Sequence, residues 1–262
     1  MKILGLNLFH GDASACLFVD DKLVAAAEEE RFNRIKHSAG IPINSIHFCL
    51  KYSNLTIDKI DHIAINRDPK KRIYFKLLFS FKKLLKLNFL KNRIKNLNKI
   101  TSVKKVLQNN FSENINAKIN YIDHHLAHVS SSVYFSPFEE TNFISIDGFG
   151  DFASTSAGYY DGKKLINSFE VLFPHSLGIF YTAITQYLGF ANYGDEYKVM
   201  GLAPYGNISL YDKISKLIIL EKNKFKLNLD FFTHHTEGVE MTWMEGEPKI
   251  GKIFSEKLVE LL

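Results

Sequence analysis

Two matched strand–turn–strand–turn–strand units constrain this chain more than any other feature of its sequence. In the first, an apolar strand from Ile3 to Leu8 leads through the polar turn His10–Gly11–Asp12 into a strand from Ala15 to Val19. A turn at Asp20–Asp21–Lys22 then precedes a strand from Leu23 to Ala27. In the second, Phe143 to Ile146 reads as a strand, Asp147–Gly148–Phe149–Gly150–Asp151 as a glycine-rich turn, and Ser154 to Tyr160 as a strand. Asp161–Gly162 makes a hairpin turn into a strand from Leu165 to Val171. Gly11–Asp12–Ala13–Ser14 can be laid on Gly150–Asp151–Phe152–Ala153–Ser154 with similar distances to the next turn, which points to a structural duplication. Between the units, Ile119 to Ile122 reads as a further strand, and Asp123 can cap a helix beginning at His124. The fold class expected is α/β, with mixed sheets carrying helices.

Composition narrows the class further. With 262 residues and 46% hydrophobic side chains, the chain can bury a substantial core, as one large domain or two smaller ones. Its two cysteines, Cys16 and Cys49, form no zinc-binding or disulfide spacing, which fits a reducing compartment. The first residues run directly into strand-like sequence, and no apolar run reaches the length of a membrane span. A cytoplasmic protein with no membrane partner is expected. The net charge of +5 is unevenly spread: residues 70–105 carry thirteen Lys or Arg and no acidic residue. Apolar residues Ile73, Phe75, Leu77, Leu78, Phe81, Leu84, Leu85 and Leu87 recur there at three- and four-residue spacings, which predicts amphipathic helices with solvated basic faces. A nucleic-acid or anionic-lipid surface is the other reading, although no base-stacking platform, helix-turn-helix or zinc-finger pattern accompanies it.

The run Asp123–His124–His125–Leu126–Ala127–His128 carries the chemistry. Histidines four apart on a helix project from one face, so His124 and His128 can chelate one metal or serve a structural role, whereas His125 is rotated away. A metal needs a third ligand, and Asp147 at the end of an apolar strand is the candidate. Two imidazoles and a carboxylate with open positions suit Fe(II), with Zn(II) as the alternative.

Five blocks bring in a specific resemblance. They are Gly5–Leu6–Asn7 through His10–Gly11–Asp12–Ala13–Ser14–Ala15, the run Glu28 to His37, His124 to His128, Asp147 to Asp151, and Tyr197 to Gly206. In this order, over about four-fifths of the chain, they resemble the N-terminal domain of the O-carbamoyltransferases of nodulation and antibiotic biosynthesis. That domain is similar to the tRNA-modifying Kae1 protein, in the actin-like, Hsp70-like (ASKHA) superfamily, where a duplicated unit offers a tight loop to a phosphate in the cleft.

The resemblance implies residues 1–142 as a first Kae1-like half-domain, with a basic helical insertion around 68–110, and 143–262 as the start of a second half-domain that is incomplete. It implies a two-stage chemistry. A YrdC-like domain, expected to be absent here, makes carbamoyladenylate from carbamoyl phosphate and ATP; the Kae1-like domain passes the carbamoyl group to a hydroxyl of a sugar or natural-product acceptor. His124, His128 and Asp147 become the expected iron ligands. His10 becomes the base that deprotonates the acceptor hydroxyl, and Lys36 neutralises phosphate or polarises the carbamoyl carbonyl. Contacts to the nucleotide are implied for Asp12, Gly148, Gly150, Lys198 and Gly201, the glycines by letting main-chain amides approach a phosphate. Whatever completes the second half-domain and supplies the YrdC-like function is expected on a separate polypeptide or on a longer form of the chain. Two other readings stay open: a non-catalytic or partner-dependent subunit, and an actin-like phosphotransferase, which the histidine pair disfavours. Nucleic-acid binding is not expected.

Overall fold

The computed structural model describes residues 1–82, 103–111, 114–239, 241–244 and 247–262. The chain falls into two compact units, one of Met1–His124 with Trp243–Pro248, the other of His125–Thr242 with Lys249–Leu262.

In the first unit, β1 (Lys2–Asn7), β2 (Ser14–Val19) and β3 (Lys22–Glu28) form an antiparallel meander. The chain then crosses through helix α1 (Ile43–Tyr52) to β4 (His62–Ile65), which pairs parallel to the free side of β1, and β5 (Lys118–Tyr121) adds in parallel beyond it. The sheet order is therefore β3-β2-β1-β4-β5, a mixed sheet centred on β1. Alternation explains its core: Leu4 and Leu6 of β1, Ala15 and Leu17 of β2, and Ile63 and Ile65 of β4 are all buried. Ile46, Cys49 and Leu50 of α1 close over them, a spacing of three, four and one that places all three on a single helix face. Burial pushes the Cys49 thiol up to about 11 and also raises that of Cys16, so both pack as small apolar side chains, not as reactive thiolates.

The basic stretch is partly visible. Helix α2 (Ile73–Lys82) and helix α3 (Val103–Phe111) bracket it, while 83–102, including Leu84, Leu85 and Leu87, lies outside the described residues. The two helices differ. Val103 and Leu107 of α3 are buried in the core of the first unit. Ile73, Phe75, Leu77 and Leu78 of α2 are all exposed, whereas Phe79 is part-buried.

In the second unit, helix α4 (His124–Val133), whose first residue closes the first unit, leads to a three-stranded antiparallel sheet in the order β6-β7-β8. The strands are β6 (Thr141–Gly150), β7 (Ala153–Tyr160) and β8 (Leu165–Leu172). The glycine-rich segment expected as a turn is instead the end of β6: the strand runs through Asp147, Gly148 and Phe149 to Gly150, with irregular pairing between Ile146 and Gly150. The reversal is confined to Asp151 and Phe152, both with positive φ (49° and 75°). Asp12, in the matching turn of the first unit, also has positive φ (59°). The matched residues thus share a left-handed backbone as well as a position between the first two strands of a meander. Helices α5 (Leu177–Tyr187) and α6 (Glu196–Leu202), the hairpin β9 (Ile218–Glu221)–β10 (Lys224–Leu227) and helix α7 (Glu256–Leu261) follow. Their core gathers Ile179, Ala183, Leu217, Leu227, Phe232, Ile253 and Leu258. No helix among the described residues is long and apolar enough to cross a membrane.

Candidate metal centre

The candidate site is built on one helix and the strand that follows it. Strand β5 is carried past its end by a hydrogen bond from Ile122 N to Ile65 O (2.8 Å), so the chain enters α4 at a fixed point of the sheet. Asp123, expected to cap that helix, receives Arg72 Nη1 on Oδ2 at 2.7 Å, with both side chains buried. One cation of the basic stretch is thereby accounted for as a buried ion pair that holds the start of α4.

His124 is buried and its Nδ1 lies 3.2 Å from the carbonyl of Asn66. A proton on Nδ1 donated to that carbonyl leaves the lone pair on Nε2, the arrangement a metal-binding histidine requires. One turn on, His128 is exposed and places Nε2 3.9 Å from Asp147 Oδ2. The ligand atoms of His124, His128 and Asp147 all lie within 4.8 Å of one another. Bonds of about 2.0–2.2 Å to one ion put ligands at closer mutual distances, so small side-chain adjustments suffice. Two imidazoles with one carboxylate, one of the nitrogens fixed by a second hydrogen bond, fit a borderline divalent ion such as Fe(II) or Zn(II). His125 leaves α4 elsewhere: it is 1% exposed and its Nδ1 sits 2.9 Å from Ser145 Oγ, which ties the helix to β6 two residues before Asp147.

Around the β1–β2 turn, the first unit assembles a second group. Asn7 Nδ2 donates to the carbonyls of Gly11 (3.1 Å) and Asp12 (2.8 Å), and Asn66 Nδ2 donates to Asn7 Oδ1 (3.1 Å). Since His124 contacts the Asn66 carbonyl, the turn and the buried histidine share one polar network. His10 lies in it, with its ring 6.4 Å from that of His124 and Nδ1 3.2 Å from Gly11 O. The loop carrying Lys36 docks on the same turn through Phe9 N to Gly40 O (2.7 Å) and Ala13 N to Ser38 O (2.8 Å). Lys36 itself is exposed; its neighbour His37 places Nδ1 2.7 Å from Asp12 Oδ1.

The nucleotide contacts expected from the sequence look different in detail. Gly148 N donates to the carboxylate of Asp147 (2.6 Å), so that amide holds the candidate ligand. Gly150 pairs with Ala153 within the β6–β7 ladder. Lys198 binds Asp195 at 2.6 Å and lies over the rings of Phe190 and Tyr197. Its ammonium holds the Asp195 carboxyl below the usual carboxylate range. Gly201 is inside α6, with open space where a Cβ would stand.

Several residues that matter had no role assigned from the sequence. Asn7 stood only as a member of the first matched block, and Asn66 is a single polar residue just past β4 with no spacing to mark it. Glu29 was legible only as part of an acidic run; it is buried and accepts four hydrogen bonds from Asn44 and Ser45 at the start of α1. Ser176 and Gly178 carried a local signal, a serine ahead of the apolar helix Leu177–Tyr187, but nothing linked them to Asp147.

An α/β chain with a repeated meander and a two-histidine, one-aspartate cluster is the class that fold and site define. Within it, the chain belongs to the carbamoyltransferase N-terminus family, whose model matches residues 2–259. A Synechocystis protein of uncharacterized function is 34% identical over 258 residues, covering 92% of this chain and 40% of that protein. Nodulation protein NolNO of Sinorhizobium fredii is 34% identical over 230 residues, 86% of this chain and 32% of that protein. An uncharacterized Methanocaldococcus jannaschii protein is 30% identical over 220 residues, 82% of this chain and 36% of that protein. The chain thus spans two-fifths or less of the length of these relatives.

Proposed function

We propose that this chain is the acceptor-side, Kae1-like part of an O-carbamoyltransferase, taking a carbamoyl group from carbamoyladenylate to a hydroxyl of a sugar or natural-product acceptor. The observation that carries the reading is the convergence of His124, His128 and Asp147 in a chain matched by the family over nearly its whole length. The actin-like assignment is supported by the β3-β2-β1-β4-β5 order, by the meander repeated in β6-β7-β8, and by the left-handed aspartates Asp12 and Asp151 at the equivalent turns. In this reading 1–142 and 143–262 are the first half-domain and part of the second. The remaining segments and the YrdC-like function belong to a longer form of the chain or to a partner polypeptide, in the cytoplasm.

His124, His128 and Asp147 would hold the ion, Fe(II) or Zn(II), which when bound supplies positive charge to phosphate or carbonyl oxygens. The chain's own residues do the rest. His10, beside His124, takes the proton of the acceptor hydroxyl as that oxygen attacks the carbamoyl carbon, and the adenylate leaves as AMP. Lys36, on the loop docked to the same turn, meets the negative charge that develops. Asp12 contributes by orienting that loop through His37, and Gly148 by holding the Asp147 carboxylate.

The test is transfer of labelled carbamoyl from carbamoyl phosphate and ATP to a panel of hydroxyl acceptors, with the YrdC-like portion of a relative supplied separately. Transfer that needs both proteins, and that falls about a hundredfold in His10→Ala, is the expected result, matching the usual contribution of a general base. ATP hydrolysis without carbamoyl phosphate, and no transfer, would replace this reading by the phosphotransferase one.

A further inference from the structure

The backbone that carries Asp147 is clamped from beneath by the start of helix α5. Ser176 is completely buried, and its hydroxyl lies 3.0 Å from the carbonyl of Asp147 and 2.7 Å from that of Gly148. The same oxygen accepts Ile179 N at 3.1 Å, which makes Ser176 the N-cap of α5. One side chain therefore joins the first turn of a helix to the last residues of β6. Two positions on, Gly178 closes the gap. A Cβ there would stand 2.6 Å from Gly148 N and 2.7 Å from both the carbonyl carbon and oxygen of Asp147. These are backbone atoms, and carbon does not approach them so closely, so any side chain at 178 must push the Asp147–Gly148 peptide away.

The peptide so held is the one that sets the candidate ligand. Asp147 Oδ1 accepts from Gly148 N, so turning that peptide redirects the carboxylate whose other oxygen faces His128. The strand is irregular here, between Ile146 and Gly150, and its regular ladder does not fix the peptide's orientation. We infer that Ser176 and Gly178 are positioning residues for the metal centre: together they set the Asp147 peptide and, through it, the carboxylate's aim at the ion. The inference rests on the metal reading of His124, His128 and Asp147. It makes Ser176 and Gly178 supports of the site, although neither supplies a ligand.

Cobalt(II) titration of the purified chain tests this, because the visible spectrum of bound cobalt reports both affinity and coordination geometry. Wild type is expected to bind one equivalent, and His128→Ala to lose it. Gly178→Ala is expected to bind at least tenfold more weakly with an altered spectrum, Ser176→Ala to weaken in the same direction, and Ser176→Thr, which keeps the hydroxyl, to recover part of the loss. Ile253→Val, which removes one methyl from the core of the same unit, controls for general loosening and should bind as wild type. If Gly178→Ala does not fold, the Ser176 pair alone decides. Wild-type affinity and spectrum in both Ser176→Ala and any folded Gly178→Ala would overturn the positioning role. Failure of wild type to bind cobalt, or full binding by His128→Ala, would instead remove the metal reading beneath it.

Discussion

Glu29 shows how much one side chain can organise. Its Oε1 accepts the backbone and side-chain nitrogens of Asn44 (3.1 and 2.7 Å), and its Oε2 accepts the backbone nitrogen and hydroxyl of Ser45 (2.9 and 2.8 Å). A carboxylate from β3's end thus serves the unsatisfied amides of α1, where the preceding Pro42 offers no side-chain cap. Glu29→Ala should cost about 2–4 kcal/mol, combining a lost cap with buried donors left unpaired, read as a shift of the urea midpoint. Glu29→Gln should recover part of that. At the candidate metal centre, His125 and His128 make a matched pair of substitutions. His128→Ala should remove most bound iron or zinc and leave the fold intact, since its side chain is exposed. His125→Ala should keep the metal but lower stability by about 1–3 kcal/mol, because it strips the buried contact to Ser145. Metal analysis and thermal melts of the two variants separate the roles; the reverse pattern would exchange them.

At the level of elements, the link between β8 and α5 is tied to the β9–β10 hairpin through an imidazole. His175 Nδ1 accepts Leu227 N at 3.1 Å, and Leu227 is buried in the core of the second unit. Protonating that nitrogen would abolish the acceptor. Burial lowers the His175 pKa below the usual imidazole value, with Lys226 and His235 acting in the same direction and Glu221 against them. A depressed folded-state value means the unfolded chain binds the proton first. The stabilisation is therefore complete above the ordinary imidazole value of about 6.5 and is lost as pH falls toward and through the folded-state pKa, at no more than about 1.4 kcal/mol per pH unit for one group. Urea midpoints measured from pH 7.5 down to 5 should fall, and His175→Gln, whose amide oxygen can still accept Leu227 N, should flatten that part of the slope. An unchanged slope would place the acid sensitivity elsewhere.

For the molecule as a whole, the excess of positive charge raises the question of nucleic acid. The net charge of +5 is concentrated in residues 70–105, yet Arg72 is paired with Asp123, and the exposed side chains that share α2 with its lysines are mainly aliphatic, with Tyr74 and Phe75 packed edge to face against each other. A surface of this kind attracts phosphates without reading bases. Fluorescence anisotropy with RNA and duplex DNA should therefore show at most weak binding that disappears by about 0.15–0.2 M salt. Tight, salt-resistant binding would make this stretch a nucleic-acid surface.

What the sequence by itself determined was local and periodic. The two meanders, the equivalent turns at Gly11–Asp12 and Gly150–Asp151, and the helix that sets His124 and His128 on one face are properties of neighbours, governed by alternation, helical spacing and backbone preferences. Asp147 could be named as the candidate third ligand because it ends an apolar run. The tertiary structure decided everything that depends on contacts between segments far apart in the chain. It determined that β6 continues through its glycines, because β7 pairs with Gly150. It paired Asp123 with Arg72, fifty-one residues away, and Glu29 with α1. It also brought Ser176 and Gly178 under the Asp147 peptide, a relation carried by one hydroxyl and a missing Cβ across about thirty residues of sequence. Such contacts leave no period and no spacing to read, since their energy comes from packing that exists only once the chain has closed on itself.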